Sequence, residues 1–202
     1  MRVIAGTLRG RALKAPAGDA TRPTGARVKE ALFSILGDVR HLKVLDLYAG
    51  SGALGIEALS RGASSAVFVE SARPALLCLR ENLTKLGLTN VSTALGRRVE
   101  DAAGELGKRG PFELVLCDPP WRDVEAAASA LEALARAGLL AVGARVALEH
   151  SAKQPVPLAN PSRLRVFDER RWGDTGVTLL EPADVPGQSE GEPGPRPETA
   201  SP

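Results

Sequence analysis

An α/β fold built on a mostly parallel sheet covered on both faces is predicted by two features of the sequence. Short apolar runs rich in valine and leucine alternate with longer stretches of helical periodicity. Glycine and proline mark the joints, with Gly62 and Gly87 after helical stretches and Pro74 inside a first helical turn. The 202 residues suffice for about one domain with appendages. A composition 44% hydrophobic and 25% charged excludes a wholly disordered, collagenous or fibrous chain.

Taken in order, VIAGTLRGRALKAP reads as a hairpin with turns between Gly6 and Gly10. A helix begins at about Gly25, where Val28, Leu32, Phe33, Ile35 and Leu36 fall at roughly helical spacing. KVLDLYAG is a buried strand running into a glycine loop, and ALGIEALSRGA is the helix that follows. AVFVE and RPALLCLRENLTKLG repeat the strand and helix pair, and VSTAL is a third strand. ELVLCDPPW is a fourth strand entering a proline loop, VEAAASALEALARAG an alanine-rich helix, and ARVALEH a fifth strand. RLRVFDERRWGDTGVTLLEP closes the pattern as a hairpin of two strands, and there is no internal repeat.

Charge divides the chain into three parts. Residues 1–29 carry seven basic side chains against Asp19 alone, whereas from residue 181 onward five acids face Arg196 among six prolines. The expected organisation is a basic hairpin extension over 1–24, a main domain over 25–181, and a disordered acidic tail over 182–202. The basic head is the part that matches a polyanion. Cys78 and Cys117 sit in apolar runs and read as buried thiols of a reducing compartment; with His41 and His150 far apart in sequence, no zinc site is expected. The sequence shows neither a secretory leader nor a membrane span, so a cytoplasmic location is expected.

Chemistry concentrates at the ends of strands, where doubly wound sheets bind ligands. Asp46-Leu47-Tyr48-Ala49-Gly50-Ser51-Gly52 is a glycine loop whose backbone can approach a ligand closely. Extended to Gly55 it matches the dinucleotide pattern, but Asp46 would repel a pyrophosphate and suits an amine or a phosphate-free cofactor. Glu70 ends the second strand, where an acid accepts hydrogen bonds from ribose hydroxyls. Together these residues favour S-adenosylmethionine over a nicotinamide cofactor. Asp118-Pro119-Pro120-Trp121 follows the fourth strand as a rigid turn. It is similar to the Asp/Asn-Pro-Pro-aromatic motif of methyltransferases acting on exocyclic base amines. The Asp118 carboxylate and Pro119 carbonyl can orient an NH2 group and stabilise charge developing on nitrogen, while Trp121 stacks on the base.

The chain also resembles, up to about residue 181, the bacterial 16S ribosomal RNA guanine-N2 methyltransferases. The resemblance rests on Arg2 to Gly6, Leu8 to Arg11, Thr21 to Thr24 with Arg27 to Phe33, the Leu45 to Gly55 loop, the Asp118-Pro119-Pro120 turn and Trp172 to Thr175. It implies a class I S-adenosylmethionine-dependent methyltransferase fold of seven strands and methylation of one guanosine in an assembled or assembling small subunit. It further implies cofactor binding by Asp46, Tyr48, Ala49, Gly50, Ser51, Gly52 and Glu70, and guanine binding by Asp118, Pro119, Pro120 and Trp121. Arg9, Arg11, Arg22, Thr24, Arg27 and Lys29 become candidates for phosphate contacts, Arg27 being the one most expected to pair with acids on the protein instead. Two departures stand out: Gly96-Arg97-Arg98 replaces the usual acid or amide near the cofactor adenine, and Trp121 replaces the usual Phe or Tyr. A monomer without a metal is expected. A DNA amino-methyltransferase and a non-catalytic ribosome-assembly factor are the alternative readings.

Overall fold

The computed structural model describes residues 1–16 and 25–183. The acidic tail beyond residue 183, together with Arg22 and Thr24, lies outside the described residues. The elements run α1 (Ala26–Leu36), β1 (Lys43–Leu47), α2 (Ala53–Ser60), β2 (Ser65–Val69), α3 (Arg73–Lys85), β3 (Ser92–Leu95), α4 (Ala103–Gly107), β4 (Phe112–Cys117), α5 (Val124–Arg136), β5 (Leu140–Ser151), β6 (Leu164–Trp172) and β7 (Thr175–Pro182). They form one seven-stranded sheet in the order β3-β2-β1-β4-β5-β7-β6. The first five strands are parallel, and β7 enters antiparallel between β5 and β6. Among the described residues no helix is long and apolar enough to cross a membrane.

Alternation along the buried strands builds two cores. Val44, Ala66, Phe68, Leu114 and Leu116 pack under α1, α2 and α3, while Leu45, Leu47, Val67, Val69, Val115 and Cys117 pack under α4 and α5. The long fifth strand extends beyond the expected ARVALEH in both directions. The five-residue α4 was not legible, because only Val99, Ala102 and Leu106 of that stretch bury apolar surface.

The N-terminal segment differs from the expected hairpin extension. Its two arms do run antiparallel, with Val3 donating to the Arg11 carbonyl and Leu13 to the Met1 carbonyl, but only an isolated Arg2–Ala12 bridge forms. The arms are stitched to the helices instead. Val3 and Leu13 enter the α1–α3 core, and the buried Glu57 carboxylate of α2 accepts from the Ile4 and Ala5 amides at 2.8 and 2.9 Å. Glu57 is also gripped by Lys29 Nζ at 3.0 Å and Arg61 Nε at 2.9 Å. Burial opposes ionisation of Glu57, yet the Ile4 amide and the two cations together hold its carboxyl below the usual 4.5.

Lys29 is therefore not an RNA contact. It is 2% exposed, and besides Glu57 its ammonium donates to the Arg2 carbonyl at 3.0 Å. Removing one partner of such a buried pair leaves the other uncompensated, so Lys29→Ala is expected to lower unfolding free energy by about 3 kcal/mol in denaturant titrations. Because the folded value of Glu57 is depressed, its stabilisation is complete above the unfolded value and fades as pH falls through the folded one. The stability gap between the wild type and Glu57→Gln should therefore close on acidification from about pH 7 to about pH 3.

Candidate active site

Strand register brings the chemistry-bearing segments together. Leu47 at the end of β1 is level with Val69 of β2 on one side and Cys117 of β4 on the other. Val69 is in turn level with Leu95 of β3. The next residues, Tyr48, Glu70, Gly96 and Asp118, thus leave the sheet at one height, on strands spaced about 4.8 Å apart. This is the switch point, where β2 and β3 lie to one side of β1 and β4 onward to the other.

The glycine loop turns within this edge. Tyr48 has φ 56°, a left-handed conformation seldom adopted by a non-glycine residue, and Gly52 has φ 82° as it caps α2. Gly52 is held in close quarters as well, since a Cβ there would come within 2.4 Å of Leu79 Cδ1. Asp46 lies beneath the loop, 1% exposed, and its Oδ2 accepts from the Gly55 amide at 2.8 Å. Asp46 thereby braces the first turn of α2 from below. Glu70 bridges two segments, accepting from the Gly50 amide at 2.7 Å and the Ala72 amide at 2.6 Å.

A residue not singled out from sequence anchors the loop from the side. Asn82 of α3 is buried, and its Nδ2 donates to the carbonyls of Ser51 and Lys14, both at 3.0 Å. Its Oδ1 accepts from the Lys14 amide at 2.9 Å. One amide thus joins the glycine loop to the N-terminal segment. The signal was present in the buried helical stripe Ala75, Cys78, Leu79, Asn82 and Leu83, where a polar residue needs a partner.

On the other side of β1, Asp118 is half-buried, Pro119 buried, Pro120 exposed and Trp121 half-buried. Trp121–Asp123 form a 3₁₀ turn leading into α5, closed by the Asp123 amide donating to the Pro120 carbonyl at 2.7 Å. Tyr48 packs on the α5 side. Its hydroxyl is pushed up to about 12 by burial, then by the Cys117, Glu100 and Asp123 charges. After β3, Gly96 packs so tightly on α3 that a Cβ would lie 2.6 Å from Leu76, while Arg97 and Arg98 are exposed and Arg98 pairs with Glu100. Arg9, Arg11 and Arg27 are exposed, consistent with an outward role, and Arg9 lines a surface cavity of about 540 Å³ with Glu30 and Arg61.

This arrangement has close parallels. The family described as Conserved hypothetical protein 95 matches residues 1–181. The chain belongs to that family. Ribosomal RNA small subunit methyltransferase D of Escherichia coli is 33% identical over 196 residues, covering 95% of this chain and 94% of that protein. A solved structure of a hypothetical protein from Thermus thermophilus superimposes with a TM-score of 0.75 at 33% identity, covering 90% of this chain and 99% of that one. A ribosomal protein L11 methylase from Lactobacillus delbrueckii, at 17% identity, shares the fold alone, with a TM-score of 0.61 over 78% of each chain.

In this member of the Conserved hypothetical protein 95 family, the protonation of buried Asp46 is set by its surroundings at the edge. Burial pushes the Asp46 carboxyl well above the ordinary range against the pull of the Gly55 amide, and the negative charges of Asp118 and Glu70 push it further. Asp118 and Glu70 thus both bear on Asp46 across the glycine loop. Among the described residues no group of His, Cys, Asp and Glu forms a metal cluster.

Asn82 supplies the test of loop anchoring. Asn82→Ala should weaken S-adenosylmethionine binding about tenfold by calorimetry and lower stability by about 1–3 kcal/mol. Asn82→Asp retains an acceptor for Lys14 but loses the donor to Ser51, and should show the same loss of affinity. Wild-type affinity in Asn82→Asp would show that the loop does not depend on this bond.

Proposed function

We propose that the chain transfers a methyl group from S-adenosylmethionine to the exocyclic N2 amine of a guanosine in 16S rRNA of the small ribosomal subunit. The observation that carries this reading is the level ending of β2, β1 and β4, which sets Glu70, the glycine loop and Asp118-Pro119-Pro120-Trp121 side by side. The likeness to the Escherichia coli ribosomal RNA small subunit methyltransferase D supports the RNA substrate. The enzyme acts as a cytoplasmic monomer on the assembled or assembling subunit.

The cofactor supplies, when bound, a methyl group activated by its sulfonium. Glu70 holds the ribose hydroxyls, the backbone of Ala49, Gly50, Ser51 and Gly52 forms the cofactor wall, and Tyr48 lines the passage toward the base. Asp46 acts through the loop it braces. Guanine N2 is a poor nucleophile because its lone pair is delocalised into the ring. The Asp118 carboxylate and Pro119 carbonyl would accept from its two N–H groups, orienting the amine and stabilising the charge that develops on nitrogen until one of those two protons is lost to solvent. Trp121 stacks on the extruded base, a contact worth about 1–3 kcal/mol. The prolines hold both acceptors rigidly, so little reorganisation accompanies transfer. Arg9, Arg11 and Arg27, with Arg22 and Thr24 beyond the described residues, contact backbone phosphates.

Labelled methyl transfer to unmodified small subunits and to naked 16S rRNA, followed by nucleoside mass spectrometry, tests the reading. The wild type should yield N2-methylguanosine. Asp118→Ala should lower kcat by about 100- to 1,000-fold with cofactor affinity preserved. A different methylated base, or full activity in Asp118→Ala, contradicts the proposal.

A further inference from the structure

The last strands of the sheet end at the same edge as the Asp118 loop and enclose a cavity of about 370 Å³. It is lined by His150, Lys153, Glu169, Arg170, Arg171 and Gly176, among others. We propose that this cavity is a phosphate subsite for the RNA backbone flanking the target nucleotide, an inference that rests on the function proposed above.

Placement is the first argument. Cys117 is level with Leu148, so Asp118 stands level with Glu149 and His150 lies one residue further on. His150 is level with Gly176, which is level with Arg171, so one row crosses β5, β7 and β6. Arg171 thus lies three strand spacings from β4, about 14 Å, within reach of RNA whose base occupies the Asp118 loop. The basic N-terminal segment is stitched to α2 and α3 on the opposite side of β4. The two basic regions flank the base site.

The cavity is also a built feature. A Cβ on Gly176 would lie 2.7 Å from the His150 ring, so glycine keeps the row open between His150 and Arg171. His150 is buried and immobilised: its Nδ1 lies 2.9 Å from the Ser151 carbonyl and 3.1 Å from that of Gln154, and its Nε2 lies 2.9 Å from Thr178 Oγ1. This pins the turn that carries Lys153.

Charge completes the argument. Three cations and the single carboxylate of Glu169 line the cavity, and Glu169 accepts from the Thr178 hydroxyl at 3.3 Å. Lys153 meets Asp174 at 3.5 Å and Arg170 meets Asp168 at 2.9 Å; the first pair is well exposed on both sides. Exposed pairs of this kind are weak enough for a phosphate to displace. Arg171 donates to the Gly173 carbonyl at 3.1 Å and has no acidic partner among the described residues. Its guanidinium fork suits a phosphate, with Lys153 as a second point charge.

The test is binding of the full chain to 16S rRNA across a salt series. The double variant Lys153→Ala with Arg171→Ala should reduce the slope of log affinity against log salt by about 2 and the affinity at physiological salt about tenfold. Arg165→Ala, on the same strand but paired with Glu181 outside the cavity, should keep the wild-type slope. Cofactor affinity should not change in any variant. A wild-type slope in the double variant overturns the subsite. Calorimetric binding of inorganic phosphate that is lost in the double variant while its RNA slope stays wild type would assign the cavity to a free anion and also overturn it. Methylation by the wild type separates the two readings: absence of N2-methylguanosine refutes the proposed reaction, whereas the slope decides the subsite on its own.

Discussion

Everything at the reactive edge depends on hydrogen-bond register between β1 and its two neighbours. With Leu47 level with both Val69 and Cys117, the chain has no slack in placing the glycine loop, Glu70 and Asp118. A slip of one residue would reverse the faces of the slipped strand and move its functional segment out of line. Two layers of core enforce the register, because β1, β2 and β4 are buried on both sides and alternate residues are claimed by different helices. The cost appears as local strain where β1 must turn at once, in the left-handed Tyr48 and in a Gly52 whose positive φ and close contact with Leu79 disfavour a side chain.

A second constraint ties the basic N-terminal segment to that edge. Glu57 receives two of its amides and two cations, and Asn82 joins Lys14 to the Ser51 carbonyl of the glycine loop. The segment is thus part of the core at Val3 and Leu13 while presenting Arg9 and Arg11 to solvent. The basic segment and the glycine loop share a buried hydrogen-bonded frame, which fixes their relative position.

Much of this was legible in the sequence because hydrophobic runs and punctuating glycines are local signals. The strands at 43–47, 65–69, 92–95 and 112–117 coincide with the apolar runs, and Asp118-Pro119-Pro120-Trp121 lies at the strand end where its motif is meaningful. What escaped was the fate of polar residues inside helical stripes. Lys29 shares the buried face of α1 with Leu32, Phe33 and Leu36, a spacing that marks it as internal although its charge suggested a surface role. Glu57 and Asn82 sit in equally apolar faces. Their partners, the Ile4 and Ala5 amides and the Ser51 carbonyl, are backbone groups remote in sequence, and no local pattern announces such contacts. Arg27, the one most expected to pair with acids on the protein surface, is exposed, while Lys29 is buried beside Glu57.

The central claim is that this edge, with Glu70 beside the glycine loop and Asp46 bracing that loop from below, binds S-adenosylmethionine and not a pyrophosphate-bearing cofactor. Calorimetric titration of the purified chain with S-adenosylmethionine and, separately, with NAD tests it most directly. The account predicts saturable one-to-one binding of S-adenosylmethionine and none of NAD at the same concentrations. Comparable binding of NAD, or none of S-adenosylmethionine, would contradict it.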